Sequence, residues 1–421
     1  MSAFTISRCA LSFGAVALLA GCGGSQPPLS VSPQRSTPQL LANQAYHVLH
    51  NFRGTGDGTN PAAPLIDGNG TLYGTTAKGG AYGYGTVFSI TSSGSETVLH
   101  SFGAAGDGAQ PEAALLDVNG TLYGTTSAGG ATHNAGTVFS ITPSGSEQVL
   151  HSFDYAGTAG AAPVASLIDV DGTLYGTTSA GGHGSGTVFS ITTDGQYSVL
   201  HEFGKGHDGI SPEAPLLDVK STLYGTTTYG GAYGSGTVFR ISKAGKEQVL
   251  HNFGDVALPS AGLTEGHGTL YGTTPEGGRV TTDGDDGALP TAGLIEGHGT
   301  LYGTTSEGGD SYYDTGTIFS ITTDGTENVI HTFKGSDGSH PVAALTDVTG
   351  VLYGTTSLGG LHDVGTIFKI STDRNYVVLH NFGNGSGDNP YASLLEVGRT
   401  LYGTTYGVVE NHVGNVFSLT P

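Results

Sequence analysis

From residue 46 onward apolar and polar positions alternate in short runs of five to seven residues, separated by turns rich in glycine. That is the signature of many short, half-buried strands rather than of helices. The second unit shows the pattern. It has a strand over Ala114–Val118, a hairpin turn at Asn119-Gly120, and a second strand over Thr121–Thr126. A glycine-rich loop over Ser127–Ala135 leads to a third strand at Gly136–Thr142, and Ser144-Gly145 turns the chain into a fourth at Glu147–Phe153. Asn-Gly suits a two-residue hairpin that needs positive φ at both central positions. Strict alternation in the fourth strand places Val149, His151 and Phe153 on one face and Gln148, Leu150 and Ser152 on the other.

The unit recurs. Leu-Tyr-Gly-Thr-Thr begins at Leu72, Leu122, Leu174, Leu223, Leu270, Leu301, Leu352 and Leu401. Seven of these copies are followed by Gly-Thr-Val-Phe or a close variant, starting at Gly85, Gly136, Gly186, Gly236, Gly316, Gly365 and Gly414. A Val-Leu-His-x-Phe strand (once Val-Ile-His-x-Phe) carries His50, His100, His151, His201, His251, His331 and His380. A four-stranded antiparallel sheet this small cannot cover its own faces, and radial stacking solves that, so the fold class is all-β, a β-propeller. The orphan fourth strand at Tyr46–Phe52 and the missing fourth strand after Val416–Thr420 complement each other, and pairing them would close the ring. One interval, Leu270 to Leu301, is short by about two strands. It is read as seven complete blades plus one sector reduced to a two-stranded hairpin; the alternative is a seven-bladed ring with the hairpin extruded.

The unit Leu-Tyr-Gly-Thr-Thr…Gly-Gly…Gly-Thr-Val-Phe…Val-Leu-His-x-Phe…Asp-Gly-x-x-Pro resembles the GloVer tandem repeat of bacterial exported proteins, and the resemblance covers Tyr46 to Pro421. It implies an anchored extracytoplasmic protein and carries no established activity, so it brings no catalytic residues.

Composition agrees with this organisation. There are 73 glycines and no tryptophan, which suits turns more than helices. The net charge of −21 argues against nucleic acid and against an anionic membrane surface as partners. Both cysteines lie near the N-terminus. Arg8 leads into an apolar stretch ending Leu19-Ala20-Gly21-Cys22, which is similar to the lipobox of bacterial lipoproteins. That resemblance implies a signal peptide over residues 1–21, a lipid on Cys22 as membrane anchor, and loss of Cys9 with the leader. Residues 22–45, rich in Pro, Ser and Gln, form a flexible tether before the propeller at 46–421. Gly23 stands where an inner-membrane retention signal would place Asp, so the outer membrane is the expected location.

Candidate chemistry is sparse. The strand-borne histidines sit one per blade and point away from each other, so each is read as bonding a nearby turn rather than joining a shared metal site. Asp57, Asp107, Asp208, Asp286 and Asp337 open Asp-Gly-x-x-Pro segments between blades and are read as turn residues. Asp283, Asp285 and Asp286 form the best calcium candidate, though too few ligands are in reach for a dedicated site. The loops between second and third strands carry Tyr82 and Tyr84, His133, His183, Tyr233, Tyr312 and Tyr313, His362 and His412 on one rim. Such rings suit a sugar or a protein surface, or they pack against the neighbouring blade. Unrepeated Arg279, Lys205 and Glu410 would individualise that face. No nucleophile elbow, zinc-protease helix or phosphate loop occurs, so no catalytic residue and no cofactor are assigned. The expected role is a binding or scaffold module for a glycan or protein. The alternatives are a carbohydrate-active enzyme with carboxylates near the axis, and a purely structural envelope protein.

Overall fold

The computed structural model describes residues 45–131, 133–254, 257–275, 287–309, 314–322, 326–371, 373–407 and 413–421. Cys22 and the tether up to residue 44 lie outside them, and Ala45 already belongs to the first strand. The first strand, β1 (Ala45–Asn51), has no partner near it in sequence. Blade two typifies the repeat: β2 (Leu116–Val118), β3 (Thr121–Thr126), β4 (Thr137–Ile141) and β5 (Glu147–Ser152), antiparallel neighbours from the axis outward. Asn119 and Gly120 take φ of 54° and 81°, as a two-residue hairpin requires, and Asp117 accepts a 2.7 Å bond from the Gly120 N–H.

Seven such four-stranded sheets form a β-propeller ring. A two-stranded hairpin, β6 (Thr264–Gly266) and β7 (Thr269–Tyr271), stands between blades four and five. It is packed as a sector in its own right. Tyr271 clusters with Leu294, Leu301 and Phe319 of blade five, just as Tyr73 of blade one clusters with Leu115, Leu122 and Phe139. On its other side Leu263 packs against Val238 and Phe253 of blade four. Between the innermost strand of blade four and β6 lies an open cleft of about 540 Å³ lined by Leu217–Lys220 and Leu263–Glu265.

The last blade consists of β8 (Leu395–Val397), β9 (Thr400–Thr405) and β10 (Asn415–Thr420), and β1 supplies its fourth strand. The register runs from Ala45 opposite Thr420 to Asn51 opposite Asn415. Closure removes the free edge that each end would otherwise expose.

One local expectation is corrected. Between third and fourth strands the register slips, so that Val138 faces His151 while Phe139 faces Val149. The extra residue, Leu150, is a β-bulge, and strict alternation fails there. Leu150 packs into the same cluster as Phe153, and His151 meets the Phe153 ring edge-on at 4.9 Å. The same slip recurs in every four-stranded blade, including the closing pair between Val48 and His50.

Blades are held by a repeated aromatic wedge. Phe102 at the end of blade one meets Phe139 of blade two edge-to-face at 5.1 Å, and both are fully buried. The middle glycine of Leu-Tyr-Gly-Thr-Thr makes room for it. A Cβ on Gly124 would lie 2.5 Å from Phe139 Cζ and 3.0 Å from Leu115 Cδ2. In the hairpin, which has no third strand, a Cβ on Gly272 would meet only Leu263, at 2.8 Å from a side-chain methyl that can move. Gly124→Ala is therefore expected to destabilise the fold by about 1–3 kcal/mol through overpacking. Gly272→Ala is expected to cost clearly less, and paired urea denaturation curves check the difference.

Candidate ligand-binding face

The buried polar residues of the repeat act as internal cross-links. Thr126 and Thr137 hydroxyls bond each other at 2.8 Å, and Thr125 donates to the Ala165 carbonyl of the next blade at 3.2 Å.

The histidines and the Asp-Gly-x-x-Pro segments stand apart in the sequence, and the structure joins them. His50 Nε2 meets Asp57 Oδ2 at 3.2 Å, His100 meets Asp107 at 2.9 Å, His201 meets Asp208 at 2.9 Å, and His331 meets Asp337 at 3.1 Å. The backbone N–H groups of Arg53, Gly103 and Lys334 donate to the same carboxylates. Each aspartate thus ties the loop leaving a blade to that blade's own outer strand. A constant spacing of seven residues in three of the four pairs was the available sequence signal. Burial pushes His100 down, but the Asp107 bond and charge overcome it and hold the imidazole above its ordinary range.

His151 and His380 have no such aspartate; Ala159 and Ser386 stand at the matching positions, four residues before the loop proline. They stack instead on Tyr197 and Tyr46, with ring centroids 3.7 and 3.6 Å apart. Burial pushes both histidines down to about 4, and neither Nε2 has a hydrogen-bond partner.

At the axis, the innermost strand of every sector carries one carboxylate, from Asp67 and Asp117 through Glu265 and Glu296 to Glu396. Asp67, Asp117, Glu265 and Glu296 each accept a bond from the N–H of the turn glycine three residues on. They cap their own turns.

The opposite rim holds the loop-borne rings. Tyr82 is 57% exposed and Tyr233 69% exposed. His133 is exposed and bonds Asp154 at 2.7 Å; a backbone bond from Ala156, then His133, hold that carboxyl below its ordinary range. His183 pairs with Glu202 at 2.9 Å, and Lys205 reaches the same oxygen at 3.2 Å. Burial pushes Glu202 up, and the combined pull of Lys205 and His183 more than reverses it. His362 Nε2 meets Asn384 Nδ2 at 2.9 Å and its ring covers Gly383. Tyr84 likewise covers Gly103. These rings rest on their own blade rather than on the adjacent one, and each blade holds its own separately. Tyr312, Tyr313, His412, Arg279, Glu410 and the run Asp283–Asp286 lie outside the described residues.

All eight large apolar side chains exposed among the described residues fall on this rim: Tyr82, Tyr84, Tyr155, Tyr229, Tyr233, Leu358, Leu361 and Tyr391. Sequence reading found Tyr82, Tyr84 and Tyr233. It missed Tyr229, in the same loop as Tyr233, Tyr155 and Tyr391, which come from the loops between blades, and both leucines.

These features define a closed, repeat-built β-propeller with one apolar-studded rim. The chain belongs to the Gloeobacter/Verrucomicrobia repeat family, whose pattern matches residues 39–185, 155–285 and 289–421. No curated protein matches it. Among solved structures it is similar to a europium-containing methanol dehydrogenase, at 9% identity and a TM-score of 0.53, covering 89% of this chain and 93% of that one. It is also similar to a putative 6-phosphogluconolactonase from Bacteroides uniformis, at 14% identity and a TM-score of 0.45, over 82% and 90% of the two chains. A further similar structure is PorZ of Porphyromonas gingivalis, a surface component of the type IX secretion system, at 12% identity and a TM-score of 0.47. That match covers 87% of this chain and 47% of PorZ, so the chain spans about half its length. At these identities the likeness is one of fold.

The depressed histidines set a pH dependence. Folded His151 and His380 bind a proton only near pH 4, whereas the unfolded chain binds it near 6.5. Their contribution to stability is therefore complete above pH 6.5 and is lost as pH falls toward 4. Replacing both with Phe should flatten the loss of urea midpoint between pH 6.5 and 4.5 relative to the parent protein. An unchanged slope would contradict the assignment.

Proposed function

We propose that the propeller is a non-catalytic binding module, held at the bacterial envelope by a lipid on Cys22 and presenting its apolar-studded rim to a glycan. The observation that carries this reading is the confinement of every described large exposed apolar side chain to one rim. Single exposed hydrophobes are ordinary, but their segregation to one face marks a contact surface. A tyrosine presents a flat apolar face and a polar tip, which matches the faces and hydroxyls of a sugar ring. His133, His183 and His362 are each held by a carboxylate or amide partner, so their rings are oriented before any ligand arrives. Leu358 and Leu361, at 37% and 76% exposed, favour a second reading in which blade six meets a protein surface.

His183 and Tyr233 lie on successive blades and are both solvent-facing. On a glycan array with the soluble body from Ala45 onward, replacing both with Ala should weaken binding about tenfold or more, the size of a lost aromatic anchor. The thermal transition should stay unchanged. Turnover of a polysaccharide would remove the reading, and absence of binding across a broad panel would favour a purely structural role. Separately, Cys22→Ala should release the full-length protein from membranes, as checked by fractionation; continued retention would contradict the anchor.

A further inference from the structure

Apart from His251, whose next sector is the two-stranded hairpin, each outer-strand histidine faces a residue at the start of the next blade's outer strand, and that residue takes one of two forms. Where it is tyrosine, the ring stacks on the imidazole: Tyr197 on His151, Tyr376 on His331 and Tyr46 on His380, with centroids 3.6–3.7 Å apart. Each tyrosine also donates its hydroxyl to a carbonyl of the loop between blades, Tyr197 to Ala159, Tyr376 to Asp337 and Tyr46 to Ser386. At three interfaces the residue is an acid: Glu96 lies beside Asp57, and in the other two the acid closes on both an imidazole and an aspartate. Glu147 faces His100 and Asp107, and Glu247 faces His201 and Asp208.

Nothing in packing demands an acid there, because tyrosine serves at the equivalent places. At Glu147 and Glu247, unlike Glu96, one imidazole nitrogen, one aspartate oxygen and one glutamate oxygen lie within 4.8 Å of one another. Oε1 of Glu147 and Oε1 of Glu247 are buried without a hydrogen-bond partner. A buried carboxylate oxygen left unpaired is costly, and a second carboxylate beside it adds repulsion. The aspartates are already oriented. The Gly108 N–H donates to Asp107 Oδ1 at 2.7 Å and the Gly209 N–H to Asp208 Oδ1 at 2.6 Å, which leaves each Oδ2 turned to the histidine.

We propose that His100–Asp107–Glu147 and His201–Asp208–Glu247 each bind a divalent transition-metal ion, zinc being the best match, clamping blade one to blade two and blade three to blade four. Ligand atoms about 2.0–2.1 Å from one zinc stand about 3.3 Å apart at a tetrahedral angle. The 2.9 Å His–Asp separations need open only by about 0.4 Å to reach that spacing, while the glutamate closes on the pair. An imidazole with two carboxylates favours zinc over calcium or magnesium, which take all-oxygen sites. A dication also balances the two carboxylate charges when the imidazole is neutral, and the fourth position is left to water.

The test is calorimetric titration of zinc into the full chain carrying Cys9→Ser and Cys22→Ser, so that thiols contribute nothing, with thermal melts in zinc and in chelator. Two equivalents should bind, matching the two clusters, and zinc should raise the melting transition. Glu147→Gln or Glu247→Gln should each remove one equivalent, and the double variant both, along with the melt shift. Metal-free, the double variant should melt no lower than the parent, since a buried unpaired acid is gone. Should the amide variants fold poorly, Glu147→Tyr and Glu247→Tyr copy the tyrosine found at the sister interfaces and should likewise abolish binding. A parent protein whose melt ignores zinc and chelator, or zinc binding that survives in both double variants, would overturn the proposal.

Discussion

The fold depends on one contact: the edge-to-face meeting of the phenylalanine at the end of one blade with the third-strand phenylalanine of the next. It recurs as Phe52–Phe88, Phe102–Phe139, Phe153–Phe189, Phe203–Phe239, Phe333–Phe368 and Phe382–Phe417, at 5.0–5.5 Å. Each pair adds about 0.5–1.5 kcal/mol beyond simple burial. Because the wedge joins different blades, no blade is complete without its neighbour, and the chain of dependence ends only when the ring closes. That is why β1 must cross to the far end of the sequence. The one place where the wedge is absent is the hairpin sector. Phe253 there packs against Ala257 and Leu263, and Tyr271 takes over toward blade five.

Much of this was legible in the sequence because the repeat states its own requirements. Gly124 reads as a strand glycine, and it is one because Phe139 occupies the place of its side chain. Asn119-Gly120 reads as a hairpin and is one. The hairpin sector is visible in Leu258-Pro259 and Leu289-Pro290, which repeat without an outer pair of strands between them. Alternation failed at Leu150, since a bulge inserts a residue without changing which residue types appear. His50, His100, His201 and His331 were rightly read as tied to turns, whereas His151 and His380 stack on tyrosines with no such bond. Their partners were less visible, because Asp107 comes from the loop beyond the strand and Glu147 from the next blade.

The loop rim was only partly legible for the same reason. Periodicity identifies what the repeat holds constant, whereas Tyr155, Leu361 and Tyr391 sit where units differ. Exposure is a property of the assembled ring. The two rims now have distinct characters, one of turn-capping carboxylates and one of exposed rings. Among the described residues, a chain with a net charge of −21 keeps its large exposed apolar side chains on a single face.

Native-state hydrogen exchange at β1 tests the central claim, closure of the ring by its first strand, most directly. The amides that pair β1 with β10, from Tyr46 to Asn51, should exchange as slowly as those pairing β5 with β4 inside blade two. They should also open with the same free energy as denaturant is added, since losing β1 uncovers the Phe382–Phe417 wedge. Exchange of β1 at the rate of a frayed terminus, while blade two stays protected, would contradict the account.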